Sequence, residues 1–397
     1  MDAILVVNAG SSSIRFAAYQ ADANQVPRLL GKGHFAQLGS ELELSIKDAS
    51  GVQLQKSRQP SANGFDYQLA TDGMFRWIQE HPLGLKLSAV GHRVVHGGAR
   101  FFAPVTICPP VLDELDNLVS LAPLHQPQNL NPINSISERW PELLQVACFD
   151  TAFHSTQPAI AYRFALPREF SDSGIRRYGF HGLSYEYIVT QLPRVLGERA
   201  QGRVIVAHLG NGASLCAIHA GKSVATTMGF SALDGLVMGT RCGLLDPGVV
   251  LHLLQHRQMT AKQVSDLLYN RSGLLGVSGI SSDMQTLLNS EEPHAAEAVE
   301  LFVYRIVREI GSLAAAMGGL DALVFTGGMG ENSVEIRRRV SLGCVWLGAD
   351  VDQDANRGST PLFSQPSSRL QLALVPTDEE IIIAGHTAKI VQAASSA

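Results

Sequence analysis

The sequence predicts an α/β protein built from two related domains. Short apolar runs alternate with amphipathic segments from end to end, the pattern of strands and helices taken in turn. A second observation is an echo at an offset of 200. Ile4-Leu5-Val6-Val7-Asn8-Ala9-Gly10 and Val204-Ile205-Val206-Ala207-His208-Leu209-Gly210 each pass from four apolar residues to a small-residue turn and a second strand. Two unrelated hairpins would leave this echo. So would a duplication, which would set two glycine-rich hairpins across an interdomain cleft, where ligands bind. Length agrees: 397 residues hold two or three domains, and 45% hydrophobic residues can fill their cores.

Residues 4–7 and 14–19 read as strands flanking the turn Asn8-Ala9-Gly10-Ser11-Ser12-Ser13. Residues 89–95 and 146–150 read as buried strands, and 204–208, 214–219 and 322–326 supply more in the second half. Helical periodicity is clearest over 295–317, with apolar positions 298, 301, 302 and 306 against charges at 297, 300, 305, 308 and 309. The Ser/Pro-rich stretch 357–368 reads as a surface loop. Residues 378–393 read as a closing helix whose acidic first turn suits the helix dipole.

Charge and cysteine usage narrow the function classes. A net charge of −5, from 31 basic and 36 acidic residues, argues against a nucleic-acid binder. Only seven of the basic residues are Lys, so local positive charge is mostly guanidinium, suited to bidentate grips on carboxylate or phosphate. Met1-Asp2-Ala3-Ile4 has no basic n-region, and no apolar window of 18 residues occurs, so neither secretion nor membrane insertion is expected. The five scattered cysteines (Cys108, Cys148, Cys216, Cys242, Cys344) read as reduced thiols in a cytoplasmic protein.

Neither a Walker A motif nor a dinucleotide fingerprint nor H-E-x-x-H is present. Three glycine-rich turns remain, each after a strand: 8–13, 208–213 and Gly327-Gly328-Met329-Gly330-Glu331-Asn332. Successive backbone N–H groups in such turns bind anions, so three of them favour a polyphosphate ligand; the third also runs into a helix expected at Ser333. Arg93 sits in a strand that otherwise looks buried, Arg241 lies in Met238-Gly239-Thr240-Arg241-Cys242-Gly243, and His181 follows an aromatic in a Gly-bounded turn. Each could be satisfied structurally; together they could hold a carboxylate and a transferring phosphoryl group. Asp150 ends an apolar strand, where α/β folds place functional carboxylates. The cluster Asp378-Glu379-Glu380 fits helix capping and a metal role equally. Mg²⁺ takes only one or two protein carboxylates beside phosphate oxygens and water, a quota Asn8 and Glu379 could fill.

These residues resemble the acetate and propionate kinase (acetokinase) family. The matching segments are Val7 to Ser13, Gly91-His92-Arg93-Val94-Val95-His96-Gly97-Gly98, Leu121-Ala122-Pro123-Leu124-His125 and Phe149-Asp150-Thr151-Ala152-Phe153-His154. They continue in family order with Arg177-Tyr178-Gly179-Phe180-His181-Gly182, His208-Leu209-Gly210-Asn211-Gly212, Met238-Gly239-Thr240-Arg241 and Gly330-Glu331-Asn332. The resemblance implies an actin-like, sugar-kinase-like (ribonuclease H-like) duplicated fold with an interdomain nucleotide cleft. The expected domains are 1–150 with 377–397, and 151–376, the latter carrying nucleotide binding and a homodimer contact. It implies reversible transfer of the ATP γ-phosphoryl group to acetate, giving acetyl phosphate and ADP, with Mg²⁺ and with Mn²⁺ able to substitute. A propionate or butyrate kinase is the alternative, differing in pocket size. An actin-like ATP-switched binding protein is the other, and it would leave Arg93, Arg241 and His181 with no shared purpose.

Carried over position by position, the resemblance implies that Asn8 and Glu379 hold the metal. It implies nucleotide contacts from Arg15, His208, Leu209, Gly210, Asn211, Gly212, Asp283, Met284, Gln285, Gly328, Met329, Gly330, Glu331 and Asn332. Arg93 would bind the substrate carboxylate in a small apolar pocket of Val95, Leu124, Phe180 and Ala232. Asp150, His181 and Arg241 would be catalytic, the last two by stabilising the transition state. A carboxylic acid is already ionised at neutral pH, so Asp150 is expected to orient Arg241 or a metal-bound water and not to remove a proton. Four residues depart from the family pattern: Arg15 for Lys, Gln285 for Arg, Ala232 for Pro, and Leu244 for a polar residue. The smaller Ala232 is expected to admit propionate better, by about 1 kcal/mol.

Overall fold

The computed structural model describes residues 2–10, 13–20, 26–61, 65–81 and 84–395. Ser11 and Ser12 of the first expected turn, and the chain ends Met1, Ser396 and Ala397, lie outside them. The chain divides into two compact units, Met1–Ala152 with Asp378–Ala397, and Phe153–Thr377.

The first unit is an eight-stranded sheet. Its strands are β1 (Asp2–Ala9), β2 (Ser13–Gln20), β3 (Arg28–Leu38), β4 (Glu41–Asp48), β5 (Gln53–Pro60), β6 (Lys86–Val94), β7 (Val105–Thr106) and β8 (Leu144–Phe149), in the order β5-β4-β3-β2-β1-β6-β8-β7. The near-continuous apolar run of β1 reflects burial on both faces, one of them under the helix Glu379–Ser395. That helix packs so closely on β6 that a Cβ at Gly91 would collide with Ile383 and Thr387. The opposite core gathers Leu5, Val7, Phe16, Phe35, Met74 and Trp77.

The second unit carries β9 (Arg203–Leu209), β10 (Ala213–His219), β11 (Lys222–Thr226), β12 (Ala322–Thr326) and β13 (Gln371–Leu374), ordered β11-β10-β9-β12-β13. Its long helix Pro293–Met317 buries Ala298, Phe302 and Ile306 of the predicted stripe and continues it with Ile310, while Leu301 is half-buried.

The two sheets repeat one plan. In each, two antiparallel pairings (β3-β2-β1 and β11-β10-β9) are followed by two parallel ones (β1-β6-β8 and β9-β12-β13). The hairpins sit at the expected offset but differ by one residue. Ala9 pairs with Ile14, whereas Leu209 pairs with Ala213, so the second turn is one residue tighter.

The structure corrects the sequence reading in two places. Residues 357–368 are not merely a surface loop: Phe363 is fully buried, and Leu362 and Ser364 form bridges to Ala373 and Val351. The third glycine-rich turn is itself a short helix, Gly327–Asn332, starting directly from β12; the expected helix follows at Val334–Gly343, capped by Ser333. No helix among the described residues is long and apolar enough to cross a membrane. All five cysteines are free thiols.

Candidate active site

In the first unit, parallel β1, β6 and β8 bring Asn8, Arg93 and Asp150 side by side at their C-terminal ends, where an α/β sheet presents ligands. Arg93 donates from Nε to Asp150 Oδ1 at 3.0 Å and from Nη2 to Oδ2 at 2.5 Å, a bidentate fork. Its Nη1 reaches Asn8 Oδ1 at 3.2 Å, and Glu379 Oε2 lies 3.7 Å from Nε. Burial pushes the Glu379 carboxyl up to about 7; Arg93 and Arg15 oppose the rise, while Asp150 and Glu380 add to it. With Glu379 only partly ionised near neutral pH, Asp150 and Glu380 offset the two guanidiniums, and a cation bound here would favour the ionised form of Glu379.

The donor set agrees with Mg²⁺. Asn8 and Glu379 offer hard oxygens against the same guanidinium, and an ion that keeps most of its waters needs no more. No group of three or more His, Cys, Asp or Glu side chains forms a closed cage among the described residues.

Beside this centre is a cavity of about 350 Å³ whose lining includes Arg15, Arg93, Val95, Leu124 and Asn129. Asn129 braces its floor, accepting the Val95 N–H at 2.9 Å and donating to the Ala9 carbonyl at 2.8 Å. Arg15, paired with Asn8 across the β1–β2 ladder, belongs to this cavity. Phe180 and Ala232 are residues of the second unit. There the Phe180 carbonyl accepts from His154 Nε2 at 2.9 Å, and the Ala232 carbonyl accepts from Arg241 Nη1 at 2.7 Å. Asp150 therefore orients Arg93, and the Ala232 carbonyl is one acceptor for Arg241. Leu244 is 44% exposed, its N–H donating to the Gly235 carbonyl.

In the second unit, His181 and Arg241 converge on Gly212. A Cβ there would lie 3.1 Å from Arg241 Nη2 and 3.4 Å from His181 Nε2, so glycine spares the Arg241 tip a crowded contact. His181 has φ +59°, a left-handed conformation that is uncommon outside Gly and concentrated at functional sites. Its ring stacks on His208, centroids 4.2 Å apart, and its Nδ1 lies 2.9 Å from Ser214 Oγ. His208 is held through Ser184, which contacts Thr377.

A second cavity, of about 1040 Å³, suits a nucleotide in size. Gly210, Asn211, Asp283, Met284, Gln285, Gly328, Met329 and Asn332 line it, as do Glu335 and Arg339. The other expected nucleotide residues serve its frame. Leu209 is fully buried, and its backbone passes within 3.0 Å of where a Cβ on Gly327 would sit; Gly327 also has φ +76°. Gly330 is buried in the short helix Gly327–Asn332. Glu331 Oε1 accepts the N–H groups of Gly327 (3.0 Å) and Thr377 (3.1 Å). Asp283 caps the helix Met284–Leu288, accepting the Thr286 N–H at 2.8 Å, a bond that lowers its carboxyl pKa.

Sequence reasoning missed Arg337, which is fully buried and facing neutral acceptors. It donates to the carbonyls of Gly330 (2.9 Å) and Glu331 (2.7 Å) and to both oxygens of Asn356. The cation thereby ties down the C-terminal end of the short helix edging the nucleotide-sized cavity. The signal was in the spacing: Ile336, Val340 and Ser341 form a buried stripe that includes 337 but neither 338 nor 339.

A family model described as the acetokinase family matches residues 3–385. The chain is similar to an acetate kinase of Rhodopseudomonas palustris (strain TIE-1), 54% identical over 97% of each chain. It is also similar to one of Rhizobium meliloti, 48% identical over 99% of each. Among solved structures it resembles a propionate kinase from Francisella tularensis (TM-score 0.89, 35% identity, 98% of this chain and 99% of that one). It likewise resembles an acetate kinase of Porphyromonas gingivalis (TM-score 0.86, 36% identity, 98% and 100%). The duplicated two-domain α/β fold expected from the sequence is the fold of these relatives.

Proposed function

We infer the chemistry of this chain from one premise: it belongs to the acetokinase family. It is a phosphotransferase with a carboxyl group as acceptor, an enzyme that transfers the γ-phosphoryl group of ATP to acetate and yields acetyl phosphate and ADP. The observation that carries this into its residues is the Arg93–Asp150 fork beside a small cavity with an apolar side, Val95 and Leu124.

Arg93 receives the acetate carboxylate. Acetate is already ionised at neutral pH, so no base is needed, and Asp150 serves by holding the guanidinium in one orientation. Bound by Asn8 and Glu379, Mg²⁺ (or Mn²⁺) would supply charge neutralisation at the phosphate oxygens. His181 and Arg241 donate hydrogen bonds to the transferring phosphoryl group, whose transition state spreads negative charge over its equatorial oxygens. Gly210, Asn211, Asp283, Met284, Gln285 and the short-helix residues Gly328–Asn332 receive the nucleotide, which Gln285 contacts without the charge of the arginine the family resemblance implies there.

The enzyme acts in the cytoplasm as a homodimer through its second unit. The apolar helix Pro247–Gln255 buries no residue within the chain, leaving Val249, Leu251 and Leu254 for a second copy. Ala232, where the family resemblance implies Pro, supports use of propionate alongside acetate.

One assay separates the readings: ATP-dependent acyl phosphate trapped as the hydroxamate, run with acetate, propionate and butyrate. Acetate is expected to give the highest kcat/KM, with propionate next. A preference for propionate or butyrate would reassign the acid. No product with any acid would favour an ATP-switched binding protein.

A further inference from the structure

We propose that Tyr185 and Ser214 are positioning residues that lock His181 in its Nε2–H tautomer, so that the ring donates toward the transferring phosphoryl group. The proposal rests on the reading of His181 as a transition-state donor.

Protons can be counted along the chain of side chains. Tyr185 is fully buried, one helical turn beyond His181, with its ring near those of Phe153 and His154. Among the described residues its hydroxyl has one hydrogen-bond partner, Ser214 Oγ at 2.5 Å. Both ring nitrogens of His154 are engaged elsewhere, Nδ1 at Ser223 and Nε2 at the Phe180 carbonyl. A buried hydroxyl must donate its proton to something, and for Tyr185 that acceptor is Ser214. Ser214, itself fully buried on β10, then directs its own proton to its other partner, His181 Nδ1, at 2.9 Å. Nδ1 is thereby an acceptor, and the ring proton resides on Nε2, the nitrogen on the Gly212 side of the ring.

The opposite order would have Nδ1–H donate to Ser214 and Ser214 donate to Tyr185. That would strand the phenol proton in a buried site and present a lone pair to an anionic substrate. The left-handed backbone at His181 places the ring for this contact. The relay then sets which end of the ring carries hydrogen.

The test uses the full-length protein labelled with ¹⁵N-histidine, His181 being identified by the signals that vanish in His181→Gln. Near pH 8 the native ring is expected to show an unprotonated Nδ1 and a protonated Nε2. Tyr185→Phe is expected to let the Nδ1–H form grow and to lower kcat about fivefold, with KM for ATP and acetate within twofold of native. Ser214→Ala should lower kcat further, and Ser214→Thr, which keeps the hydroxyl, should recover most of it. A native ring protonated on Nδ1 overturns the proposal, as does a Tyr185→Phe enzyme with the native tautomer and native kcat. A His181→Gln enzyme with near-native kcat would instead overturn the role of His181, whichever tautomer the native ring shows.

Discussion

Replacing Arg337 with Met should loosen the nucleotide-binding half of the molecule. The guanidinium is fully buried among neutral acceptors, and burial pulls its pKa below the usual arginine value. Met fills similar volume but donates nothing, stranding the carbonyls of Gly330 and Glu331 and the side-chain oxygen of Asn356. Three orphaned acceptors cost about 1–3 kcal/mol each. Relief from burying a charge returns several kcal/mol, leaving a net loss of about 3 kcal/mol. For a unit of this size that is a fall in Tm of roughly 6–12 °C, read by circular dichroism or dye fluorescence. ATP affinity should fall with it, because the anchored carbonyls belong to the helix edging the nucleotide site. Arg337→Lys keeps the charge but not the planar fork, and should recover only part of the loss. A Tm within 2 °C of native for Arg337→Met, or a Lys variant indistinguishable from native, would refute the reasoning.

Three further outcomes are expected. Asp150→Asn replaces one acceptor oxygen of the Arg93 fork with an N–H donor; breaking a buried charge pair should cost about 3–5 kcal/mol, a loss of at least 10² in kcat/KM for acetate. Near-normal turnover with unchanged Mg²⁺ dependence would remove Asp150 from the mechanism. Ala232→Pro should lower the propionate-to-acetate ratio of kcat/KM by roughly three- to fivefold, the worth of one methylene; an unchanged ratio would show that residue 232 does not set the pocket. Burial holds His92, His96 and His154 neutral, each with its pKa lowered from 6.5 to about 4. The unfolded chain takes up these protons below pH 6.5 and the folded chain does not, so their contribution, whole above 6.5, is lost as pH falls toward 4, at about 3 kcal/mol per group. Tm should drop steeply between pH 6.5 and 5; a flat profile there would show that these rings take up protons in the folded protein.

The echo at an offset of 200 was visible because β1 and β9 each carry a run of four apolar residues that is buried throughout, although two unrelated hairpins would have left the same trace. The outer strands β4 and β5 were not: β5 is exposed along almost its whole length and rich in polar residues, so it carries no burial signal at all. Among site residues, Arg93 and Arg241 stood out because isolated charges in apolar or glycine-rich surroundings require partners. What could not be read was who those partners are. The Asp150 fork onto Arg93 joins residues 57 positions apart, and the Ala232 carbonyl that holds Arg241 is a backbone atom, invisible to residue type. Arg337 was hidden for the opposite reason, since a run of three arginines reads as solvated charge until the helical stripe is counted.

The central claim is that the cations at 93 and 241 serve one reversible phosphoryl transfer, and it is tested most directly in the direction of ATP formation. ADP, acetyl phosphate and Mg²⁺ are supplied to the native enzyme, Arg93→Leu and Arg241→Leu, and ATP is read by luminescence. The native enzyme should make ATP only with acetyl phosphate present. Arg241→Leu should lose at least 10² in kcat, and Arg93→Leu a similar factor in kcat/KM for acetyl phosphate. ATP formation by either variant within threefold of native, or none by the native enzyme, would contradict it.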